Sequence, residues 1–241
     1  MGRLVGTVYG TVAYVLFLGT FLYAIGFVGN RFVPKGIDSG DEGALVPSLL
    51  VNLGLLCVFA LQHNVMARPW FKSAWTKIVP TQVERSTFVL FTNAALALMY
   101  WQWRPATGVI WQVENNVLST ALIALSLLGW GVVLWATFLI DHFDLFGMRQ
   151  VVLWNGYTKP RFEESSLYRH TRHPLYLGFL IAFWATPAMT VGHLFFALVT
   201  TAFIMWSIQL EERDLSKAHV EYRAYQKRVP MLLPLGRKSP E

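Results

Sequence analysis

The chain has 241 residues and a formal net charge of +6; 54% of its residues are hydrophobic and only 14% are charged, with a mean hydropathy of +0.42. A soluble domain carries about 25% charged residues, so the composition excludes an ordinary soluble protein and defines an integral membrane one. The single cysteine, Cys57, excludes an internal disulfide and a CxxC metal site, and no metal is expected. The basic residues lie between apolar runs, where they set membrane orientation rather than nucleic-acid binding.

Thr7 to Gly29 is the first predicted span, long enough for a hydrocarbon core of roughly 30 Å. Gly6, Gly10, Gly19 and Gly26 recur along it, and small residues permit close helix packing. The run lacks a small-residue cleavage site, so no cleavable signal is expected. Asn30 to Gly43 reads as a polar loop. Ala44 to Ala67 is the second span and ends in Gln62-His63-Asn64, polar groups that need partners or water inside a membrane. A basic loop runs from Arg68 to Arg85. Ser86 to Trp103 is the third span, with an aromatic end suited to the interface, and Val117 to Ile140 is the fourth. The main polar segment, Asp141 to His173, follows.

That segment ends in Tyr168-Arg169-His170-Thr171-Arg172-His173-Pro174-Leu175-Tyr176-Leu177-Gly178, a crowd of two Tyr, two Arg and two His at the edge of an apolar run. Pro174 suits the first position of a helix, where its missing N–H would have had no partner. Arg172 and His173 then stand at a helix N-terminus, which favours an anion. Gly178 allows a close approach to the backbone. Pro174 to Met189 is predicted as a short fifth helix, Thr190 to His193 as a turn with His193 in solvent, and Leu194 to Leu210 as a sixth helix ended by the charges of Glu211 to Asp214. A last amphipathic stretch runs to about Arg228 and breaks at Val229-Pro230. The expected architecture is an all-α polytopic membrane bundle of five to six spanning helices, the last two forming a hairpin. It is one domain, with a four-helix membrane part (1–140) and a cofactor-binding and catalytic part (141–241).

Arg3, the loop from Arg68 to Arg85 and the segment from Arg149 to Arg172 hold ten Lys and Arg. The intervening loops hold only Arg31, Lys35 and Arg104. The positive-inside rule therefore predicts the N-terminus, the motif and the C-terminal tail on the cytoplasmic face of the inner membrane. On that face Arg172 and the helix N-terminus offer donors for a carboxylate. Glu211 and Glu212 offer acceptors for an amine or hydroxyls. Tyr168 and Tyr176 offer ring faces for an adenine or a sulfonium. The set suits S-adenosyl-L-methionine.

Arg172-His173-Pro174-Leu175-Tyr176-Leu177-Gly178, with Tyr168 four residues ahead, resembles the RHPxYxG signature of the isoprenylcysteine carboxyl methyltransferase-like family of membrane methyltransferases. Glu211-Glu212 with Leu215, and Tyr222, Tyr225, Val229 and Pro230, match the family's closing pattern over the last third of the chain. The resemblance implies a cofactor set of Phe162, Tyr168, Arg172, His173, Pro174, Leu175, Tyr176, Gly178, Glu211 and Glu212. One departure is the stretch Arg161-Phe162-Glu163-Glu164, where the family's enzymes for prenylated proteins carry a different segment. Four further stretches are similar to the methanethiol-methylating branch: Leu61 to Pro69, Glu84 to Thr87, Trp101 to Pro105, and His142 to Gln150. That branch implies methyl transfer to a small thiol, methanethiol, with the lipid bilayer as the setting and no protein partner.

The thiol must lose its proton, because the thiolate is the nucleophile. The candidate bases are His142, Asp141, His170 and His63. Histidine titrates nearest neutrality, and His142 comes first because it opens the polar segment directly after a span, with Asp141 or Asp144 expected to orient it. Arg149 is a further catalytic candidate, expected with His142 and Phe146 to face the methyl group, while Phe143 and Phe146 are expected to narrow the cavity to a one-carbon thiol. Rival readings are a methyltransferase for a prenylated or lipid acceptor, a haem or quinone membrane protein with His63 and His142 as axial ligands, and a non-catalytic accessory protein.

Overall fold

The computed structural model describes residues 2–158, 166–218 and 220–233. The chain is all-α apart from one short ribbon. The helices are α1 (Arg3–Gly29), α2 (Leu45–Ala67), α3 (Pro69–Trp75), α4 (Glu84–Gln102), α5 (Asn116–Ile140), α6 (His142–Leu145), α7 (Met148–Leu153), α8 (Pro174–Trp184), α9 (Val191–Ala218) and α10 (Val220–Arg228). Four of them, α1, α2, α5 and α9, are long and apolar enough to cross a membrane. Their exposed side chains are largely Leu, Val, Phe and Trp, as a lipid-facing surface requires. The protein is a polytopic integral membrane protein.

Two compact units are interleaved along the chain. Unit 1 comprises residues 1–112, 143–159 and 188–199, and unit 2 comprises 113–142, 160–187 and 200–241. In unit 1, α1 and α2 pack on α4, and α1 also packs on α7. The 19-residue α4 is less apolar than its neighbours because its polar side chains face protein. Thr87 Oγ1 lies 3.0 Å from Tyr9 Oη, and Asn93 Nδ2 donates to Ala13 O. Gly10 of α1 gives room to Val151, while Gly19 faces open space. Gly147 is fixed twice over. Its φ of +84° is a left-handed conformation, and a Cβ there would stand 2.7 Å from the Ser86 backbone nitrogen.

At the other end of unit 1, loops are tied to helix ends by buried hydrogen bonds. Trp103 Nε1 donates to Ile37 O, and Asn52 exchanges two bonds with the backbone of Arg104. A short antiparallel ribbon pairs β1 (Val109–Gln112) with β2 (Ala188–Thr190). His193 was expected in solvent. It is instead buried at 2% exposure in the first turn of α9, where its backbone N–H donates to Thr190 Oγ1 and Thr190 donates in turn to Asp38. The predicted turn at 190–193 is thus a strand end running straight into a helix.

The fifth apolar helix is shorter than predicted. α8 ends at Trp184 after 11 residues, a rise of roughly 16 Å, which is about half a bilayer core. Pro187 explains the stop, since the residue before a proline is disfavoured in helical geometry, and residues 188–190 are drawn into the ribbon. α9 is longer than predicted. It runs past Glu211 and Glu212 to Ala218, because those residues are good helix formers once the chain leaves the apolar layer. Unit 2 is built on the contact of α5 with α8. A Cβ on Gly178 would lie 2.7 Å from Gly129 O, and one on Gly129 would lie 2.7 Å from Gly178 O. The close approach expected at Gly178 is therefore made by the backbone of another helix. Gly178→Val should force these helices apart and lower thermal stability by about 1–3 kcal/mol, the usual cost of overpacking. An unchanged melting temperature in detergent would refute the tight crossing.

Candidate functional site

The motif of unit 2 folds around one carboxylate. Arg172 Nε donates to Glu212 Oε1 at 2.7 Å, and His173 Nε2 stands 2.9 Å from the same oxygen. A carboxylate oxygen only accepts, so Nε2 of His173 carries the proton. Gln226 Nε2 donates to the other oxygen, Oε2, at 3.0 Å. Arg172 Nη1 also donates to Gln226 O and Val229 O, and its backbone N–H donates to Pro230 O. These carbonyls lie at and just beyond the C-terminal end of α10, where a cation is favoured. Arg172 Nη2 has no hydrogen-bond partner among the described residues.

The rest of the cluster is fastened to the same segment. Tyr225 Oη donates to Tyr168 O at 2.6 Å, Thr171 Oγ1 donates to Met231 O, and Tyr176 Oη donates to Glu211 Oε2 at 3.2 Å. Tyr222 and Tyr225 are buried with Val229, and Leu215 packs on them. Burial, and then the charges of Glu212 and Glu211, push the Tyr222 phenol above its ordinary value. Burial first and then Glu211 do the same for Tyr168, so both phenols remain protonated donors. Pro174 is the first residue of α8, and His173 precedes it with extended φ and no side-chain cap. The first N–H groups of α8 are therefore not taken by a capping side chain. A groove of about 440 Å³ lies beside Glu212, lined by Gln209, Arg213, Ser216, Lys217, Arg223 and Gln226.

The structure therefore gathers Tyr168, Arg172, His173, Pro174, Tyr176, Glu211 and Glu212. The two acidic residues differ: both oxygens of Glu212 are held by the protein's own side chains, while among the described residues Glu211 accepts a side-chain hydrogen bond only from Tyr176. Leu175 lies in the first turn of α8, and Gly178 faces α5. Phe162, with Arg161, Glu163 and Glu164, lies outside the described residues. Gln226 was not foreseen, because a glutamine among charged residues on an amphipathic helix carries no sequence signal.

The expected bases separate. His142 belongs to unit 2 and is 3% exposed. Its Nδ1 lies 2.7 Å from Thr137 Oγ1, and its ring stacks on Phe138 at 4.2 Å. The orienting partner at Nδ1 is thus Thr137, where Asp141 or Asp144 was expected. Asp141 ends α5 at φ +143°, an unusual backbone state for a residue with a side chain. Asp144 is in unit 1, hydrogen-bonded to Tyr157. His170 is exposed in the turn before Thr171. His63 and Arg149 both lie in unit 1, His63 on α2 between the rings of Phe59 and Phe88, and Arg149 half-buried on α7. Arg85 anchors a helix start: its Nε donates to Leu145 O and its backbone N–H to Gln150 Oε1.

Together these features define a polytopic membrane protein with a polar site at the head of a half-length helix. Residues 57–229 match the family described as "Protein of unknown function (DUF1295)". The methanethiol S-methyltransferase of Crocosphaera subtropica is 51% identical over 236 residues, covering 96% of this chain and 92% of its own. That of Mycobacterium tuberculosis is 51% identical over 238 residues, covering 97% and 98%. Nurim of Sus scrofa is more distant, 29% identical over 230 residues, covering 84% and 86%. No solved structure matches the chain. The chain belongs to the methanethiol S-methyltransferase family.

Glu212→Gln keeps the shape of the hub and removes its charge. Hydrogen bonds to a charged partner contribute about 1.5–3 kcal/mol each, so α10 should detach more often. Tryptic cleavage at the exposed Arg223, Lys227 and Arg228 should then accelerate by roughly 10-fold or more, since cleavage follows the open population. Equal cleavage rates would remove Glu212 as the hub.

Proposed function

We propose that the chain transfers the methyl group of S-adenosyl-L-methionine to the sulfur of methanethiol, giving dimethyl sulfide and S-adenosylhomocysteine. The observation that carries this reading is the Arg172–Gly178 motif folded onto Glu211 and Glu212 in a chain half identical to proteins named for that reaction. The residues fit the donor. Arg172 Nη2 and the N-terminus of α8 suit its carboxylate. Glu211 suits its amine or ribose hydroxyls. Tyr168 and Tyr176 offer ring faces for the adenine and the sulfonium, and the family resemblance adds Phe162 and Leu175 to the cofactor set. When bound, S-adenosyl-L-methionine supplies a methyl carbon on a positively charged sulfur. Residues 141–241 carry the cofactor groups, and this face is cytoplasmic at the inner membrane by the distribution of Lys and Arg.

His142 is the proposed base for the thiol proton. Thr137 Oγ1 donates its own hydrogen to Leu134 O at 2.6 Å, so toward His142 it can only accept. Nδ1 of His142 therefore carries the hydrogen, and the basic lone pair sits on Nε2. Burial pushes the His142 pKa below the ordinary histidine value, with Asp141 opposing it. The imidazole is thus neutral at pH 7, the form a base requires.

Purified protein with labelled cofactor and a panel of acceptors tests the function: methanethiol should be methylated and prenylcysteine should not. The reverse pattern would support the lipid-acceptor reading instead. His142→Ala should lower turnover about 10²–10⁴-fold at neutral pH, with partial recovery at high pH as solution thiolate rises. Wild-type turnover should fall as pH drops through the depressed His142 pKa, at a midpoint below about 6.5. Near-normal turnover in His142→Ala would remove this residue as the base.

A further inference from the structure

Of the four stretches that resemble the methanethiol-methylating branch, three are far apart in sequence, and unit 1 brings residues of these three together. His63 comes from the first, Arg85 from the second, and Leu145 and Phe146 from the third. Arg85 Nε donates to Leu145 O. Met66, Phe88 and Val89 form a buried cluster on which Phe71, Trp75 and Phe146 pack. The His63 ring stacks on Phe59 at 5.5 Å and lies 5.0 Å from the Phe88 ring. None of this is needed by the cofactor groups, which belong to unit 2.

The polar atoms here are unevenly served. Of the run Gln62-His63-Asn64, Gln62 donates to Met66 Sδ and accepts from Thr92, and Asn64 donates to Ala60 O. His63 Nδ1 is buried with no hydrogen-bond partner among the described residues, and the same holds for Trp75 Nε1. A buried polar group left unpaired costs about 1–3 kcal/mol, and more is at stake within a membrane span. Two such atoms bordering one aromatic cluster call for a partner. A trapped water typically makes about three polar contacts; His63 Nδ1 and Trp75 Nε1 would supply at most two, and the surrounding Phe59, Phe71, Phe88 and Phe146 add none. A small apolar molecule with a single weakly hydrogen-bonding atom fits better. A one- or two-carbon thiol has that character, since its sulfur is a weak donor and a weak acceptor, and it dissolves in the bilayer that surrounds α2. The Arg85 guanidinium, 5.1 Å above the Phe88 ring, adds a fixed positive charge that favours the thiolate form.

We infer that this aromatic cluster in unit 1 binds the methyl acceptor as a small alkyl thiol, with His63 Nδ1 as its polar contact. The inference rests on the proposed thiol S-methyltransferase activity. It is tested on the full chain in nanodiscs by two readouts. The first is line broadening of ¹³C-methanethiol on binding, which requires no turnover. The second is the KM for methanethiol against that for S-adenosyl-L-methionine. His63→Ala should abolish most of the broadening and raise the thiol KM about 5- to 10-fold, the effect of one lost hydrogen bond, with cofactor KM unchanged. His63→Asn, whose amide reaches the position of Nδ1, should recover most of both. Phe88→Leu should improve ethanethiol relative to methanethiol. Wild-type broadening without turnover would sink the proposed activity and leave the pocket standing. Full broadening and an unchanged thiol KM in His63→Ala would overturn the pocket and assign the buried nitrogen to an ordered water only. A parallel rise in cofactor KM would overturn it as well.

Discussion

Much of unit 2 depends on one carboxylate oxygen. Glu212 Oε1 takes hydrogen bonds from Arg172 and His173, two consecutive residues at the head of α8. The side chains of Arg172 and Glu212 are only 12% and 16% exposed, so the charge is shielded enough for these bonds to count. The same arginine reaches the carbonyls at the end of α10, and the same carboxylate takes Gln226 from that helix. The head of α8, the polar extension of α9 and the docking of α10 are thus settled by a single anion and its donors. The chain places this anion just beyond the apolar part of α9, where ionic bonds are less costly to form than in the hydrocarbon layer.

The hub also shows how binding and architecture share residues. Arg172 was expected to meet a ligand carboxylate directly, yet most of its donors are occupied by the protein. Loss of this arginine therefore acts on the α10 segment as well as on any ligand it touches. Glu211, adjacent in sequence but a third of a helical turn away, is far less encumbered. Two neighbouring glutamates thus differ in how firmly the protein's own side chains hold them, through helix geometry alone.

The membrane class, the long spans and the Arg172–Gly178 motif were legible in the sequence because each is a local property: a run of apolar residues, a proline at a helix start, a spacing. What was not legible depends on partners distant in the chain. The ribbon at 109–112 and 188–190 needs two strands of unit 1 that lie far apart in the sequence. His193 looked solvated because its neighbours are turn-like, and only the Asp38–Thr190 bond shows why it is enclosed. Thr137 is a single hydroxyl in an apolar helix, and nothing in the sequence distinguishes it from a threonine bonded to its own backbone. Its significance comes from a doubled constraint. It bonds a carbonyl with its one hydrogen, so it can only accept from His142.

The proposed division of labour between the units follows from what each ligand is. A zwitterionic, sulfonium-bearing donor comes from water and needs fixed charges, which belong at a membrane surface. Unit 2 supplies them where the helices α8, α9 and α10 reach polar residues. A one-carbon thiol offers almost nothing to hydrogen-bond, so discrimination against larger thiols must come from volume, and one methylene is worth only about 1–3 kcal/mol in an apolar pocket. Aromatic walls on membrane helices give the stiffest small volume available, because Phe and Trp side chains have few rotamers to lose on packing. Where three of the branch stretches meet, the contacts are largely aromatic, while the stretch shared with the wider family meets around charged groups.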